Sequence, residues 1–343
     1  MRVNFKRMLK IKKLENPEPV ILDINPTDNC NLSCLSCWKR NPKYKNLSSD
    51  YYELSDDRLI ELIDEASKLG IKEIEITGGG EPLLRKVTFT LMKKIKDKEI
   101  KGSITTNSVL INEKLAKELV NIGWDRIVFS IDGPSKEVND YLRGKSFDKI
   151  IENINLMNKH KEETRKTKPV LYFNVVLSNK NYNLIDKFIN LAKKLKIEFI
   201  KFETLTIHSG LGEKLQLNDK QNKEFLGNIK KYELLAKKAK IKTNLSDFSE
   251  ELIEKPNRMD KNIPMCFEPF YHIVVKTDGS VGPCCLFYGN APNIKEASLA
   301  EIWNGKYFEN IRESFKNGKM MDYCKICNLG QVATNIKMME NIK

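Results

Sequence analysis

The stretch Pro26-Thr27-Asp28-Asn29-Cys30-Asn31-Leu32-Ser33-Cys34-Leu35-Ser36-Cys37-Trp38 places three cysteines in the spacing Cys30-x3-Cys34-x2-Cys37. It follows Val20-Ile21-Leu22-Asp23-Ile24, an apolar run that reads as a strand. Three thiolates leaving a strand and entering a loop can converge on one metal centre. A four-iron cluster takes one thiolate per iron. Three thiolates would leave one iron open to a ligand, as a catalytic zinc keeps one position free. Two plainer readings stand beside this one: three small buried residues, or half of a zinc site.

The chain has 343 residues, which suits one large α/β unit with an appendage. With 41% apolar and 31% charged residues it reads as soluble and globular. No apolar run approaches the roughly 18 residues of a membrane span, and no signal-peptide core precedes a cleavage site. The cytosol (a cytoplasmic location) is the expected compartment, where eight cysteines fit metal ligation better than disulfides. The formal charge is +13, much of it in residues 1–13 and 230–242. It would favour an anionic partner such as a phosphorylated metabolite, an acidic peptide or a lipid headgroup. No nucleic-acid motif accompanies it, so a nucleic-acid partner is not expected; solvated Lys-rich helix faces account for the charge equally well.

Residues 1–19 form a basic arm ending in Asn16-Pro17-Glu18-Pro19, with a loose helical spacing at Phe5, Met8 and Leu9. From Val20 strand and helix patterns alternate. Strands are expected near 20–24, 71–77, 100–106, 126–132, 170–177 and 198–205, with helices between them; the first, over 55–69, has Ser55 as its cap and Gly70 as its stop. Six strands with crossover helices predict a helix-covered parallel sheet. Polar residues recur where these strands end: Glu81, Thr106, Asn107, Ser130, Asp132, Asn174 and Glu203. Ligands sit on that rim in parallel α/β folds. A loop over 206–217 carries His208, and a Lys-rich helix follows near 218–240. Residues 245–264 break the rhythm and read as a connection from a barrel over 20–244 to a smaller module over 265–330, with a tail over 331–343.

The cysteine spacing, the Gly78-Gly79-Gly80-Glu81-Pro82 turn, and Ser130-Ile131-Asp132-Gly133-Pro134 followed by Leu142-Arg143-Gly144 together resemble the radical S-adenosylmethionine (SAM) enzymes. The resemblance covers about residues 20–205 and implies a partial (β/α)6 barrel. It implies that Cys30, Cys34 and Cys37 hold a 4Fe-4S cluster whose open iron is chelated by SAM. Trp38 takes the aromatic place near the adenine. Gly78, Gly79 and Glu81 match the turn that receives the methionine amino group. Ser130 and Arg143 match positions for the ribose and the methionine carboxylate, a good partner for an Arg fork. Thr106, Asn107 and Asn174 are weaker carry-overs to SAM binding. The implied chemistry is reductive cleavage of SAM to a 5′-deoxyadenosyl radical that takes hydrogen from a substrate C–H bond. The electron would come from a flavodoxin- or ferredoxin-type reductant under anaerobic conditions.

Cys266-x12-Gly279-x4-Cys284 spans a hairpin pattern turning at Thr277-Asp278-Gly279. Ile302-Trp303-Asn304 and the pair Cys324-x2-Cys327 follow. These resemble the SPASM extension of the same superfamily, a small α+β module. The usual third cysteine of its last motif is replaced by Gln331. Four ligands remain, Cys266, Cys284, Cys324 and Cys327, enough to close one auxiliary 4Fe-4S cluster, as in a "twitch" module. A zinc site with four cysteines is the alternative. Cys285 reads as a small buried neighbour, a replacement for Cys284, or a transient ligand.

Three functions follow. The first is an oxidoreductase whose auxiliary cluster accepts an electron, with a small polar molecule favoured over a peptide as substrate. The second is redox-neutral epimerase or mutase chemistry, with Cys285 as a spare hydrogen donor, or peptide or protein maturation. The third is a non-enzymatic iron–sulfur or zinc regulator on nucleic acid. Glu203, His208, His272, Asp278 and Cys285 are candidate catalytic groups, and the sequence does not rank them.

Overall fold

The computed structural model describes residues 18–40, 53–206, 210–248 and 266–327. The first 17 residues of the basic arm, His208, residues 249–264 of the expected connection, and the tail with Gln331 lie outside the described residues.

Strands β1 (Ile21–Ile24), β2 (Glu73–Ile76), β3 (Lys101–Thr106), β4 (Arg126–Ser130), β5 (Val170–Val176) and β6 (Phe199–Glu203) form where the sequence places them. Between them run α1 (Asp56–Lys68), α2 (Val87–Asp97), α3 (Glu113–Asn121), α4 (Lys136–Arg143), α5 (Phe147–Glu163) and α6 (Ile185–Lys194). In α1 the Ser55 side chain accepts the Arg58 N–H, and Leu59, Leu62, Ile63 and Ala66 are buried on one face. Each large aliphatic side chain so buried contributes about 1.5–3 kcal/mol of transfer free energy.

The sheet is longer than the six strands expected. After a short helical turn, α7 (Gly210–Glu213), and a long helix, α8 (Asp219–Ala239), comes β7 (Lys242–Thr243), which pairs with β6. The C-terminal hairpin forms as expected from β8 (His272–Val275) and β9 (Val281–Gly282), antiparallel to each other. β8 also lies parallel to β1, giving one nine-stranded sheet in the order β7-β6-β5-β4-β3-β2-β1-β8-β9. Two further helices follow: α9 (Leu299–Asn304) packs on α1, and α10 (Lys306–Lys316) on the turn Glu268–Phe270 that precedes β8. Parallel strands joined by crossover helices, with one open stretch of sheet, are the partial barrel expected.

Register separates the two faces. Leu22, Ile74, Ile104, Ile127, Phe173 and Phe202 belong to the main apolar core beneath the helices. The alternate residues face the opposite way, into the barrel. Asp23 is level with Glu75, Glu75 with Ser103, and Ser103 with Arg126. Nearer the C-terminal ends, Ser130 is level with Asn174 and Asn174 with Lys201, and the next inward row pairs Val176 with Glu203. The inner row of Asp23, Glu75, Ser103 and Arg126 is therefore polar, a departure from the continuous apolar runs usual in parallel strands.

Candidate active site

The cysteine loop is tied to four parts of the barrel. Glu53 accepts the Thr27 hydroxyl at 2.5 Å and the Asp28 N–H at 2.9 Å. Arg85 donates to the Pro26 carbonyl at 2.5 Å and bonds to Asp56 at 2.9 Å. The Leu35 N–H reaches the Leu142 carbonyl at 2.8 Å, fixing the loop against the end of α4. From the C-terminal hairpin, Thr277 donates to Asp28 at 3.0 Å. Glu53, Arg85, Asp28 and Thr277 are positioning residues that the motif reading missed, because their partners are remote in sequence.

The glycine turn continues the pairing of β1 with β2. Gly80 N–H donates to Thr27 at 2.9 Å and Glu81 N–H to Asn29 at 2.7 Å. A Cβ on Gly80 would stand 2.0 Å from the Asn29 carbonyl oxygen, and one on Gly79 1.7 Å from an Asp28 carboxylate oxygen. These two glycines are thus required by the close approach of the cysteine loop, as well as leaving room for a ligand. Trp38 lies against the same turn, 3.3 Å from that absent Gly79 Cβ.

One cavity of about 370 Å³ opens at the C-terminal ends of the strands. Cys30, Cys34 and Cys37 line it, with Trp38, Gly78, Gly79 and Glu81. Across it stand Thr106, Asn107, Ser130, Arg143, Asn174 and Glu203. Every residue matched to the cluster or to SAM therefore faces one space. Asn107 Nδ2 lies 3.9 Å from Cys30 Sγ and donates to Asn31 at 2.8 Å. Glu81 is turned inward: it accepts from Thr106 at 2.6 Å, Asn107 N–H at 2.7 Å and Leu83 N–H at 3.1 Å. Burial pushes its carboxyl above the usual range, and those three bonds oppose the shift.

Arg143 is held by Asp132 at 2.8 Å, and Asp132 in turn accepts the Val176 N–H at 2.9 Å. Burial by itself would depress the guanidinium, but Asp132, Cys34 and Cys30 more than offset it, so its pKa is raised and it stays charged. Its buried Nε has no hydrogen-bond partner. Arg143 lines the cavity, and a charged guanidinium with a donor to spare fits a carboxylate ligand. Cys34 and Cys37 are pushed up by burial, so their thiolates form in company with metal rather than before it. Among the described residues no three ligating side chains close on a single ion. Three thiols spread around a cavity of this size suit a polynuclear group. Donor set and Arg143 together fit a cluster with an amino-acid ligand.

A second nest lies behind β8. Cys266 and Cys324 are buried in an apolar cluster with Phe267, Phe270, Phe287 and Tyr323, and Cys284 packs against it. The Cys327 N–H bonds to the Cys324 carbonyl at 3.2 Å, which places the last cysteine one turn away. Burial pushes the Cys284 thiol well up, with Cys285 and Cys266 adding to the shift. Cys285 follows directly, and its thiol is raised to about 11, first by burial and then by the Asp23 charge, with His272 opposing.

The remaining candidates separate. Glu203 lines the cavity and pairs with Lys201 at 2.5 Å. His272 lies between Asp23, at 3.3 Å, and Glu268, a closer partner. Asp278 closes the hairpin turn, accepting from Ser280 N–H at 2.9 Å and Ser280 Oγ at 2.7 Å, and does not line the cavity.

Comparison with known proteins agrees with this geometry. The radical SAM superfamily profile matches residues 24–192, and that of the SPASM iron–sulfur cluster-binding domain matches 266–328. The chain is 25% identical to a tungsten-containing aldehyde ferredoxin oxidoreductase cofactor-modifying protein of Pyrococcus furiosus, over 91% of this chain and 88% of that one. It is 26% identical to an AdoMet-dependent heme synthase of Methanosarcina barkeri, with 88% of each chain covered. A GTP 3′,8-cyclase of Clostridium perfringens is 32% identical over 61% of this chain and 62% of its own. Among solved structures, Streptococcus suis SuiB bound to S-adenosylmethionine superposes with a TM-score of 0.70 at 20% identity, covering 94% of this chain and 75% of that one.

Proposed function

The chain belongs to the radical SAM superfamily and carries a SPASM cluster-binding domain, and on that premise we propose that it removes hydrogen from a substrate C–H bond in an oxidation assisted by one auxiliary 4Fe-4S cluster. Its cofactors are a 4Fe-4S cluster, SAM and auxiliary iron–sulfur ligation in the SPASM domain. Bound together, the first cluster and SAM supply a 5′-deoxyadenosyl radical.

The chain's own residues divide the work. Cys30, Cys34 and Cys37 would hold the first cluster. Arg143, kept charged and aimed by Asp132, would take the SAM carboxylate. The backbone of Gly78 to Gly80 would approach the amino group, with Glu81 bracing the turn from behind through Thr106 and Asn107. Trp38, Ser130 and Asn174 would flank the nucleoside. Cys266, Cys284, Cys324 and Cys327 would close the auxiliary centre. The observation that carries the reading is the single cavity onto which all twelve residues matched to the cluster and SAM converge, with the partnerless Arg143 Nε beside them.

A redox-neutral reaction is the second reading, with Cys285, the cysteine left over from the auxiliary set, as its candidate hydrogen donor. Anaerobic protein with dithionite and SAM should form 5′-deoxyadenosine, and Cys34→Ala should abolish it. Retained 5′-deoxyadenosine in that variant would refute the assignment. Once a substrate is in hand, one SAM consumed per product with electrons returned marks the oxidation; product without net electron release marks the redox-neutral course. A small polar molecule remains the preferred substrate over a peptide, and a flavodoxin- or ferredoxin-type protein the preferred reductant.

A further inference from the structure

The nest behind β8 is walled mostly by groups that cannot donate a hydrogen bond. Phe267, Phe270, Phe287, Ile311 and Phe315 share one buried cluster with Cys266 and Cys324. The tyrosines there are not alike. Tyr271 donates to Glu268, and Tyr307 is half-buried. Tyr323 is 6% exposed, and among the described residues its buried hydroxyl has no hydrogen-bond partner. Native structures rarely keep a buried hydroxyl without an acceptor.

The local backbone sets where this phenol stands. Tyr323 belongs to the short 3-10 turn Asp322–Ile326 and immediately precedes Cys324. The Cys324 N–H bonds to the Met321 carbonyl at 2.9 Å and the Cys327 N–H to the Cys324 carbonyl at 3.2 Å, so one turn carries the ring and both late cysteines. On its outer side the ring meets the exposed Tyr288 edge-on, with centroids 5.7 Å apart and planes at 72°. On its inner side it shares the buried cluster with Cys266 and Cys324, and Cys284 packs against the same cluster. Burial pushes the phenol up, and Cys284, Tyr307, Cys324 and Cys266 push it further, so the oxygen keeps its proton. A thiol sulfur is a weak acceptor, whereas an ionised sulfur makes the stronger, charge-assisted bond.

We infer that the Tyr323 hydroxyl donates a hydrogen bond to a sulfur of the centre held by Cys266, Cys284, Cys324 and Cys327, and that this bond raises the centre's reduction potential. The inference rests on the reading of those four cysteines as one iron–sulfur site. An added electron makes the sulfurs better acceptors, so a fixed donor stabilises the reduced form more than the oxidised one. The proton stays on the phenol oxygen in both states, and no bond to Tyr323 forms or breaks. A raised potential suits a centre that takes an electron from a substrate, as the proposed oxidation requires.

Anaerobic holoenzyme is titrated with dithionite and followed by electron paramagnetic resonance. SAM perturbs the first centre, so the signal that it leaves unchanged belongs to the nest. Tyr323→Phe removes one oxygen and keeps the ring. It should lower the equilibrium constant for one-electron reduction of the nest centre about tenfold, a fall of about 59 mV, with the iron content unchanged. Tyr288→Phe, on the outer surface, should leave the potential where it was. An unchanged or higher potential in Tyr323→Phe, or an equal fall in both variants, would overturn the inference and leave the two-centre reading standing. About four irons in the unaltered chain would overturn both. Should Tyr323→Phe fail to load its nest, proton ENDOR spectroscopy of the unaltered holoenzyme decides. A strongly coupled proton that exchanges in heavy water is expected at the nest centre, and its absence would overturn the inference.

Discussion

Gly80→Ala offers a quantitative test of how the cysteine loop and glycine turn are joined. A Cβ there would lie 2.0 Å from the Asn29 carbonyl oxygen, 2.5 Å from its carbon and 2.6 Å from the Asp28 carbonyl carbon. All three are backbone atoms, so no side chain can swing aside. The two segments must part by at least about 1 Å, which strains or breaks the Gly80–Thr27 and Glu81–Asn29 bonds of 2.9 and 2.7 Å. Overpacking costs about 1–3 kcal/mol and each weakened bond about 1 kcal/mol. A total of about 3–5 kcal/mol is expected, visible as a lower Tm. The displaced turn also borders the cavity, so SAM affinity should fall by about tenfold or more, the equivalent of 1.4 kcal/mol per decade. Scanning calorimetry and equilibrium dialysis against SAM measure the two effects. Gly227→Ala is the control: its Cβ would meet nothing within 4 Å, and in the helix interior alanine should stabilise by about 0.5–1 kcal/mol. If Gly80→Ala kept both wild-type Tm and wild-type SAM affinity, the close-approach argument would be wrong.

Asp132→Asn should leave the Arg143 charge without its carboxylate and cost about 2–4 kcal/mol in chemical denaturation, since the pair is nearly buried. SAM affinity should fall with it, because the guanidinium is no longer aimed. Cys284→Ser should lose about half the iron of the reconstituted protein, whereas Cys285→Ser should keep all of it; equal losses would show that the two cysteines share one role. Glu75 has its folded pKa raised from 4.5 to about 7. Between those values the folded state holds more protons than the unfolded state, so this group lowers stability as pH rises through that window. Glu75→Gln should flatten that fall in urea titrations run from pH 4.5 to 7.5, and an unchanged slope would contradict the assignment.

Local signals account for what the sequence reveals of the fold. The Ser55 cap, the amphipathic face of α1 and the crossover rhythm all act within a few residues, and they set the order of elements. The pairing of β8 with β1 joins residues about 250 positions apart, and β7 has only two residues, so neither leaves a local pattern. The site divides the same way. Cys30, Cys34, Cys37, Gly79 and Arg143 are legible because ligation and close approach demand particular residue types. Glu81 was legible as a site residue, but its inward turn toward Thr106 and Asn107 depends on how β2 and β3 are stacked. The polar inward-facing row was missed, though a signal existed: Asp23, Glu75, Ser103, Arg126 and Lys201 interrupt strands that parallel sheets normally fill with apolar residues.

The central claim is that this chain houses two iron–sulfur centres, one open at the cavity and one closed in the nest behind β8. Iron per chain after anaerobic reconstitution tests it most directly. About eight irons are expected, falling to about four when Cys266 and Cys324 are both replaced by alanine. About four irons in the unaltered chain, with zinc bound in the second nest, would contradict it.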